Sequence, residues 1–220
     1  MKQLSIFLFL HVFAVSISSG QVKKLIATDL LKQNVRHDFA IGFGNFIGEP
    51  SRFYVYNLKG FPNERVGTGF HVAGIYRKNS ASFGLQAVEP LFSLTDIGWT
   101  NQVNFLQNRR FSLGMEAVVG AAIATLSDNA EKETRQVFFS TGEGIGYVQE
   151  VEEPKVVERS TFFLFKPSLN ASVRLFEYLR LQARGNYRFL AGRSKFGSRS
   201  EMDGWMFDAG VALVIPCPEK

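Results

Sequence analysis

Hydrolytic chemistry needs a histidine held against a serine or cysteine nucleophile and a carboxylate. Beyond residue 20 the chain carries only His37 and His71, and neither has a serine and a carboxylate at motif spacing. A lone histidine on the polar face of a strand reads as a hydrogen-bonding residue. Gly142-Glu143-Gly144-Ile145-Gly146 is rich in glycine but lacks the strand, turn and helix setting of a phosphate loop, so it reads as a turn. Asn170-Ala171-Ser172 matches a glycosylation acceptor but falls inside a predicted strand. The single cysteine, Cys217, supports no internal disulfide, Cys-ligated zinc site or redox pair, and no cluster of metal ligands is visible. No catalytic residue, cofactor or metal is expected.

The chemistry that does stand out is charge at alternate positions. Lys166, Arg174, Arg180, Arg184 and Arg188 share a parity with the carboxylates Glu116 and Asp208, each opposite apolar or small neighbours. Asp208 is expected on the strand beside Arg184 and Arg188. Opposite charges on one face of a closed sheet can pair inside it, whereas the same charges facing hydrocarbon would be costly.

That alternation defines the elements. In Leu179, Leu181, Ala183, Gly185, Tyr187, Phe189 against Arg180, Gln182, Arg184, Asn186, Arg188, one set is apolar or small and the other polar, a separation that only a strand produces. The same test predicts strands over 37–48, 66–77, 81–90, 96–106, 111–124, 163–174, 179–190 and 204–215, eight in all. Tight connections fall near 78–80, 107–110 and 175–178. They alternate with longer ones near 49–65, 91–95, 125–160 and 191–203, so one end is smooth and the other bears loops.

The 220 residues include 25 Lys and Arg and 20 Asp and Glu, 22 Phe and 20 Gly. Mean hydropathy is −0.01. Leu4 to Val15 is an apolar run behind Lys2 and ahead of Ser18-Ser19-Gly20, the pattern of a cleaved signal peptide over residues 1–20. The run is too short for a membrane-spanning helix, which needs about 20 apolar residues. The remaining imbalance is mild and does not point to nucleic acid. Residues 21–36 read as a periplasmic lead-in and 37–216 as the barrel.

Short turns at one end, long loops at the other and strands of about 10 residues are the pattern of a transmembrane β-barrel. Alternation alone leaves open a soluble barrel that turns its apolar face inward around a ligand. Aromatic residues favour the membrane: Trp99, Phe163, Phe165, Tyr187, Phe189, Trp205 and Phe207 lie on the apolar face, toward strand ends on the long-loop side, as an interfacial girdle would.

On the leader, the strand count, the loop asymmetry and strands such as Leu179 to Leu190 and Gly204 to Ile215, the chain resembles the small eight-stranded outer membrane barrels of the OmpA/OmpX type. The resemblance covers about residues 37 to 215. It implies an all-β fold, an eight-stranded antiparallel up-and-down transmembrane β-barrel, with outer membrane lipids and the barrel assembly machinery as partners. Members usually end on an aromatic residue; this chain ends Ile215-Pro216-Cys217-Pro218-Glu219-Lys220.

An eight-stranded barrel has an interior that side chains fill, so no wide pore is expected. The acidic segment 125–160 is the expected surface for an extracellular ligand or partner. Within it, Val137-Phe138-Phe139 and Gly146-Tyr147-Val148 have the composition to extend the barrel strands outward. The function classes are a structural or adhesive outer membrane barrel, a soluble lipocalin-like carrier, a narrow pore, and a rim enzyme acting on lipid A.

Overall fold

The computed structural model describes residues 34–46, 49–63, 65–78, 87–140, 146–193 and 202–215. The expected signal peptide, most of the expected lead-in and the chain beyond Ile215 lie outside the described residues. Eight strands close into a barrel in chain order: β1 Asn34–Phe46, β2 Glu49–Asn63, β3 Val66–Lys78, β4 Pro90–Gln107, β5 Phe111–Ser140, β6 Gly146–Arg174, β7 Leu179–Ala191 and β8 Gly204–Ile215. Every neighbouring pair is antiparallel, and β1 meets β8 from Val35↔Ile215 to Gly44↔Met206. Closure leaves no unpaired sheet edge over that ring, the arrangement that satisfies every backbone group in a bilayer.

The strand count agrees with the sequence reading, but two elements trade places. Of residues 49–65, expected as a long loop, 49–63 form β2 and Arg65 is a turn residue ahead of β3. Residues 81–90, expected as a strand, contribute only Pro90, the first residue of β4; 87–89 are not strand, and 81–86 lie outside the described residues. The expected loop 91–95 is the upper part of β4. This moves the connection after Lys78 from the smooth end to the loop end. The smooth end carries the turns at Arg65, 108–110 and 175–178, together with the start of β1 and the end of β8. β1 also begins three residues earlier than predicted, which brings Arg36 into the barrel.

The segment 125–160 is not an irregular loop. β5 and β6 are 30 and 29 residues long, while roughly 9 to 11 suffice to cross hydrocarbon. Their outer halves pair with each other as a two-stranded ribbon, from Lys132↔Pro154 to Ser140↔Gly146, above a register shift between Asp128 and Lys132.

Parity sorts the side chains as alternation requires. Phe39, Ile41, Phe43, Tyr54, Phe70, Ile97, Trp99, Phe105, Leu169 and Phe207 are exposed on the outer face, while charged and polar residues are buried inside. A soluble barrel would need the reverse. The interior is layered, however, and this differs from the expected all-polar lumen. Toward the loop end it is filled by Phe46, Phe53, Phe92, Leu94, Leu126, Phe162, Leu164, Leu190 and Met206, each exposed by 2% or less. Gly42 leaves room for this packing: a Cβ there would occupy the space of the Phe53 ring.

Candidate functional site: the buried charge network of the lumen

Below the apolar layer, toward the smooth end, the lumen holds a connected set of buried charges. Asp38 on β1 and Glu116 on β5 are its acidic centres. Arg36 Nε donates to Asp38 Oδ1 at 2.5 Å and its Nη2 to Oδ2 at 3.1 Å. Lys59 Nζ donates to Glu116 Oε2 at 2.7 Å and lies 3.2 Å from Asp38 Oδ2. Thr100 Oγ1 donates to the other oxygen of Glu116 at 2.7 Å. Arg184 Nε donates to Asp208 Oδ1 at 2.6 Å, and its Nη1 approaches Glu116 and Asp38 at 3.7 and 3.8 Å. Asn186 Nδ2 completes Asp208 at 3.0 Å. One guanidinium therefore touches three carboxylates contributed by three different strands.

A second set sits nearer the apolar layer. Lys166 Nζ is 3.5 Å from Asp96 Oδ2 and donates to His71 Nε2 at 2.6 Å. Accepting there leaves His71 as the Nδ1–H tautomer, donating to Asn57 Oδ1 at 2.6 Å. Arg188 Nη1 lies 3.8 Å from Asp96, its Nε donates to the Met202 carbonyl at 3.1 Å, and its guanidinium stands 4.9 Å from the Phe46 ring centroid. Arg188 thus joins the polar and apolar layers.

Of the seven residues that the sequence singled out for the lumen, the structure brings Glu116, Lys166, Arg184, Arg188 and Asp208 into these contacts. Arg188 pairs with Asp96 on β4 and not with Asp208, as had been expected. Arg174 and Arg180 stand directly opposite each other across β6 and β7 at the smooth mouth. Arg36, Asp38, Lys59 and Asp96 were missed. Asp38 shares the parity of Ala40 and Gly42, and Asp96 that of Thr100 and Gln102, so both were findable. Lys59 was hidden in a segment read as loop. His71 is buried in the lumen, while His37 faces outward with its Nδ1 at 2.9 Å from Tyr56 Oη.

The aromatic residues divide. Phe165, Phe189, Tyr187 and Trp205 form one ladder over β6, β7 and β8, with ring centroids 6.1, 4.5 and 5.2 Å apart in that order. Trp99 lies elsewhere, edge-on to Phe70 at 4.7 Å, its Nε1 donating to Thr68 Oγ1 at 2.7 Å. Phe163 and Phe207 are exposed on the outer face.

Above the barrel, Asp128 pins the connection before β4. Its carboxylate accepts the backbone N–H of Val88 at 2.7 Å, of Glu89 at 2.9 Å and of Ala130 at 3.0 Å. The amides of Val88 and Glu89 are the main cause that holds this carboxyl below its usual range, with Ala130 and the charge of Lys155 adding to it. Lys155 Nζ donates to Glu131 at 2.6 Å across the base of the ribbon, which raises the lysine. No group of three or more metal-ligating side chains occurs among the described residues.

This is the fold of the small outer membrane barrels: eight antiparallel strands, up and down, apolar outside and filled within. Neisserial surface protein A has a solved structure similar to this chain at a TM-score of 0.50 and 14% identity, over 82% of this chain and 95% of that one. The attachment invasion locus protein Ail of Yersinia pestis, solved with the heparin analogue sucrose octasulfate, matches at a TM-score of 0.47 and 13% identity, over 83% of this chain and 97% of that one. The N-terminal β-barrel domain of Pseudomonas aeruginosa OprF matches at 0.43 and 10%, over 82% and 97%. No protein-family model and no curated protein matches the sequence.

Proposed function

We propose that this chain is an integral outer membrane protein with a closed lumen that works at the cell surface through the β5–β6 ribbon. The observation that carries the reading is the extension of these two strands well past the end of the barrel, where the other described strands number 12 to 18 residues. A paired ribbon holds its side chains in fixed positions, which a surface-binding element requires. Toward its tip the ribbon exposes Phe138 directly opposite Val148. Nearer the barrel it carries Glu133 opposite Glu153, with Glu150 and Glu152 beside them.

The lumen argues against conduction. An ion would have to displace the paired charges around Asp38 and Glu116 and then cross a dry layer of phenylalanine and leucine, in which nothing replaces its hydration. The layer and the network together support a structural filling and no open pore.

The test is made in bacteria displaying the full chain or a chain lacking residues 128–157. Both are first checked for export by membrane fractionation and by a gel shift between heated and unheated samples. Adhesion to polycation-coated and to uncharged apolar surfaces is then compared. Loss of adhesion with retained heat-shift supports the ribbon as the binding element. Equal adhesion of both chains refutes it, and an open current of porin size in planar bilayers refutes the closed lumen.

A further inference from the structure

Outside the lumen, charge is sorted unevenly between the two ends of the barrel. At the loop end exposed lysines and arginines are interspersed with exposed glutamates, as in the pair of Lys155 and Glu131 across the base of the ribbon. At the smooth end the exposed charged side chains among the described residues are Arg65, Arg109 and Arg110 against one carboxylate, Glu177. Arg174 and Arg180 are half-buried and engaged within the protein, so they add nothing to this excess.

Two of the smooth-end turns share one construction. Asn63 Oδ1 accepts the backbone N–H of Arg65 at 2.9 Å and of Val66 at 2.8 Å. Asn108 Oδ1 accepts that of Arg110 at 2.9 Å and of Phe111 at 2.7 Å. Each turn therefore fixes the backbone of an arginine two residues past the asparagine and leaves its side chain exposed.

The third turn is built from residues that suit water poorly. Turns favour Gly, Pro, Asn, Asp and Ser, yet 175–178 reads Leu-Phe-Glu-Tyr, with Leu175, Phe176 and Tyr178 exposed by 47, 58 and 60%. The rings of Phe176 and Tyr178 stack with centroids 6.0 Å apart and planes at 17°. The Arg174 N–H donates to the Arg110 carbonyl at 2.7 Å, so this aromatic turn lies beside the turn that carries Arg109 and Arg110. Phe105 and Leu106, exposed near the end of β4, continue the apolar rim toward Arg65, whose carbonyl accepts the Asn104 N–H at 2.7 Å.

Aromatic rings next to guanidinium groups, just past the last residues of membrane strands, match the level at which acyl chains give way to headgroups. The rings cover the apolar boundary, and the arginines reach on to phosphate oxygens, which a guanidinium binds in two-pronged fashion. A zwitterionic headgroup brings its own cation beside the phosphate, whereas an anionic one does not. An excess of arginine therefore selects the anionic headgroup.

We infer that the smooth end of the barrel is a docking surface for anionic phospholipid headgroups of the leaflet it faces, held by Arg65, Arg109 and Arg110 beside the exposed rings of Phe176 and Tyr178. This rests on the membrane reading proposed above and extends it by giving the end opposite the ribbon a lipid preference.

The full chain is folded into vesicles of phosphatidylcholine, and spin-labelled phosphatidylglycerol or phosphatidylcholine is added to each sample. Electron paramagnetic resonance reads the fraction of each label that the protein immobilises. The wild type is expected to prefer the phosphatidylglycerol label about twofold or more, and to lose that preference in about 1 M salt. The variant Arg65→Gln, Arg109→Gln, Arg110→Gln is expected to keep its heat-dependent gel shift and lose the preference, while Arg159→Gln, Arg193→Gln at the loop end keeps both. Arg109→Gln, Arg110→Gln serves, with a partial loss expected, should the triple variant not fold. Equal fractions of the two labels in the wild type, or a preference that the smooth-end variants retain in full, overturn the surface. Retention of the wild type by purified peptidoglycan, lost in the triple variant and without any lipid preference, assigns the arginines to the cell wall and overturns it as well. A chain that fractionates as soluble overturns the membrane reading and this inference together, whereas a membrane-inserted, heat-shifting chain without the preference overturns this inference alone.

Discussion

Glu116 is where the lumen network can be broken most cleanly. Its carboxylate takes a charged hydrogen bond from Lys59 at 2.7 Å and a neutral one from Thr100 at 2.7 Å, with Arg184 3.7 Å away, all at 5% exposure or less. Glu116→Leu removes the acceptors and leaves Lys59 buried with the amide oxygen of Gln102 at 3.0 Å and with Asp38, a carboxylate already engaged by Arg36. Breaking a buried pair by deleting one partner costs about 3 to 5 kcal/mol, and Lys59→Met should cost about the same because it orphans Glu116. The double variant Lys59→Met, Glu116→Leu removes both charges, keeps the side-chain volume and leaves Arg184 with Asp208 and Arg36 with Asp38. It should lose far less than the sum, with a coupling of about 2 kcal/mol or more. Denaturant unfolding in micelles, followed by tryptophan fluorescence and by the heat-dependent gel shift, gives the three values. Single variants that each cost under about 1 kcal/mol, or three values that simply add, would refute the network as described.

Further outcomes follow from other parts of the molecule. Gly42→Val places a branched side chain in the space of the Phe53 ring and should destabilise the barrel by about 1 to 3 kcal/mol, read as an earlier loss of the heat-dependent gel shift. The two tryptophans, Trp99 and Trp205, face outward, so in the single-tryptophan variants Trp99→Phe and Trp205→Phe the remaining residue should be quenched by lipid brominated on its acyl chains; no quenching of either would place the outer face in water. Asp128 has a depressed carboxyl, so its hold on the backbone is fully present above the ordinary value of 3.8 and weakens as pH falls below it. Amide exchange at Val88, Glu89 and Ala130 should therefore speed up in acid, relative to their intrinsic rates, and in Asp128→Ala at neutral pH; unchanged protection in both would remove the anchor.

Strong contrast between the two faces made β7, β8 and the lower part of β5 legible in the sequence: Arg, Gln and Asn alternate with Leu, Ala and Gly in β7, while Asp208 in β8 and Ser112 and Glu116 in β5 stand against apolar and small residues. Contrast fails in two ways elsewhere. In β2 the inward set Ser51, Phe53, Val55, Asn57, Lys59 mixes both layers of the lumen, and Pro50 and Pro62 bracket it as they would a loop. At the loop end, runs such as Phe162-Phe163-Leu164-Phe165 are apolar on both faces, one toward lipid and one toward the inner layer, so period two vanishes where the apolar layer begins. The network partners follow the same logic: Arg184 and Asp208 sit on the best-patterned strands and were found together, while Lys59 sits on the worst-patterned strand and was not. The ribbon was legible only near its tip, where Val137-Phe138-Phe139 and Gly146-Tyr147-Val148 have strand composition and do pair; along the rest both faces are solvated and neither selects for alternation.

The seam between β1 and β8 has a consequence for the order of assembly. Residues 35 and 215 must meet before the ring is complete, whereas β5 and β6 are joined by a short connection and pair along almost their whole length. Local pairing is fast and distant pairing slow, because the chain entropy of the intervening segment is surrendered before any contact is gained. Closing the β1–β8 seam therefore surrenders more chain entropy than pairing any two consecutive strands, and the ring is complete only when it closes. Until then β1 and β8 each carry an open edge, and the Asp38 half of the charge network has no Arg184 to meet.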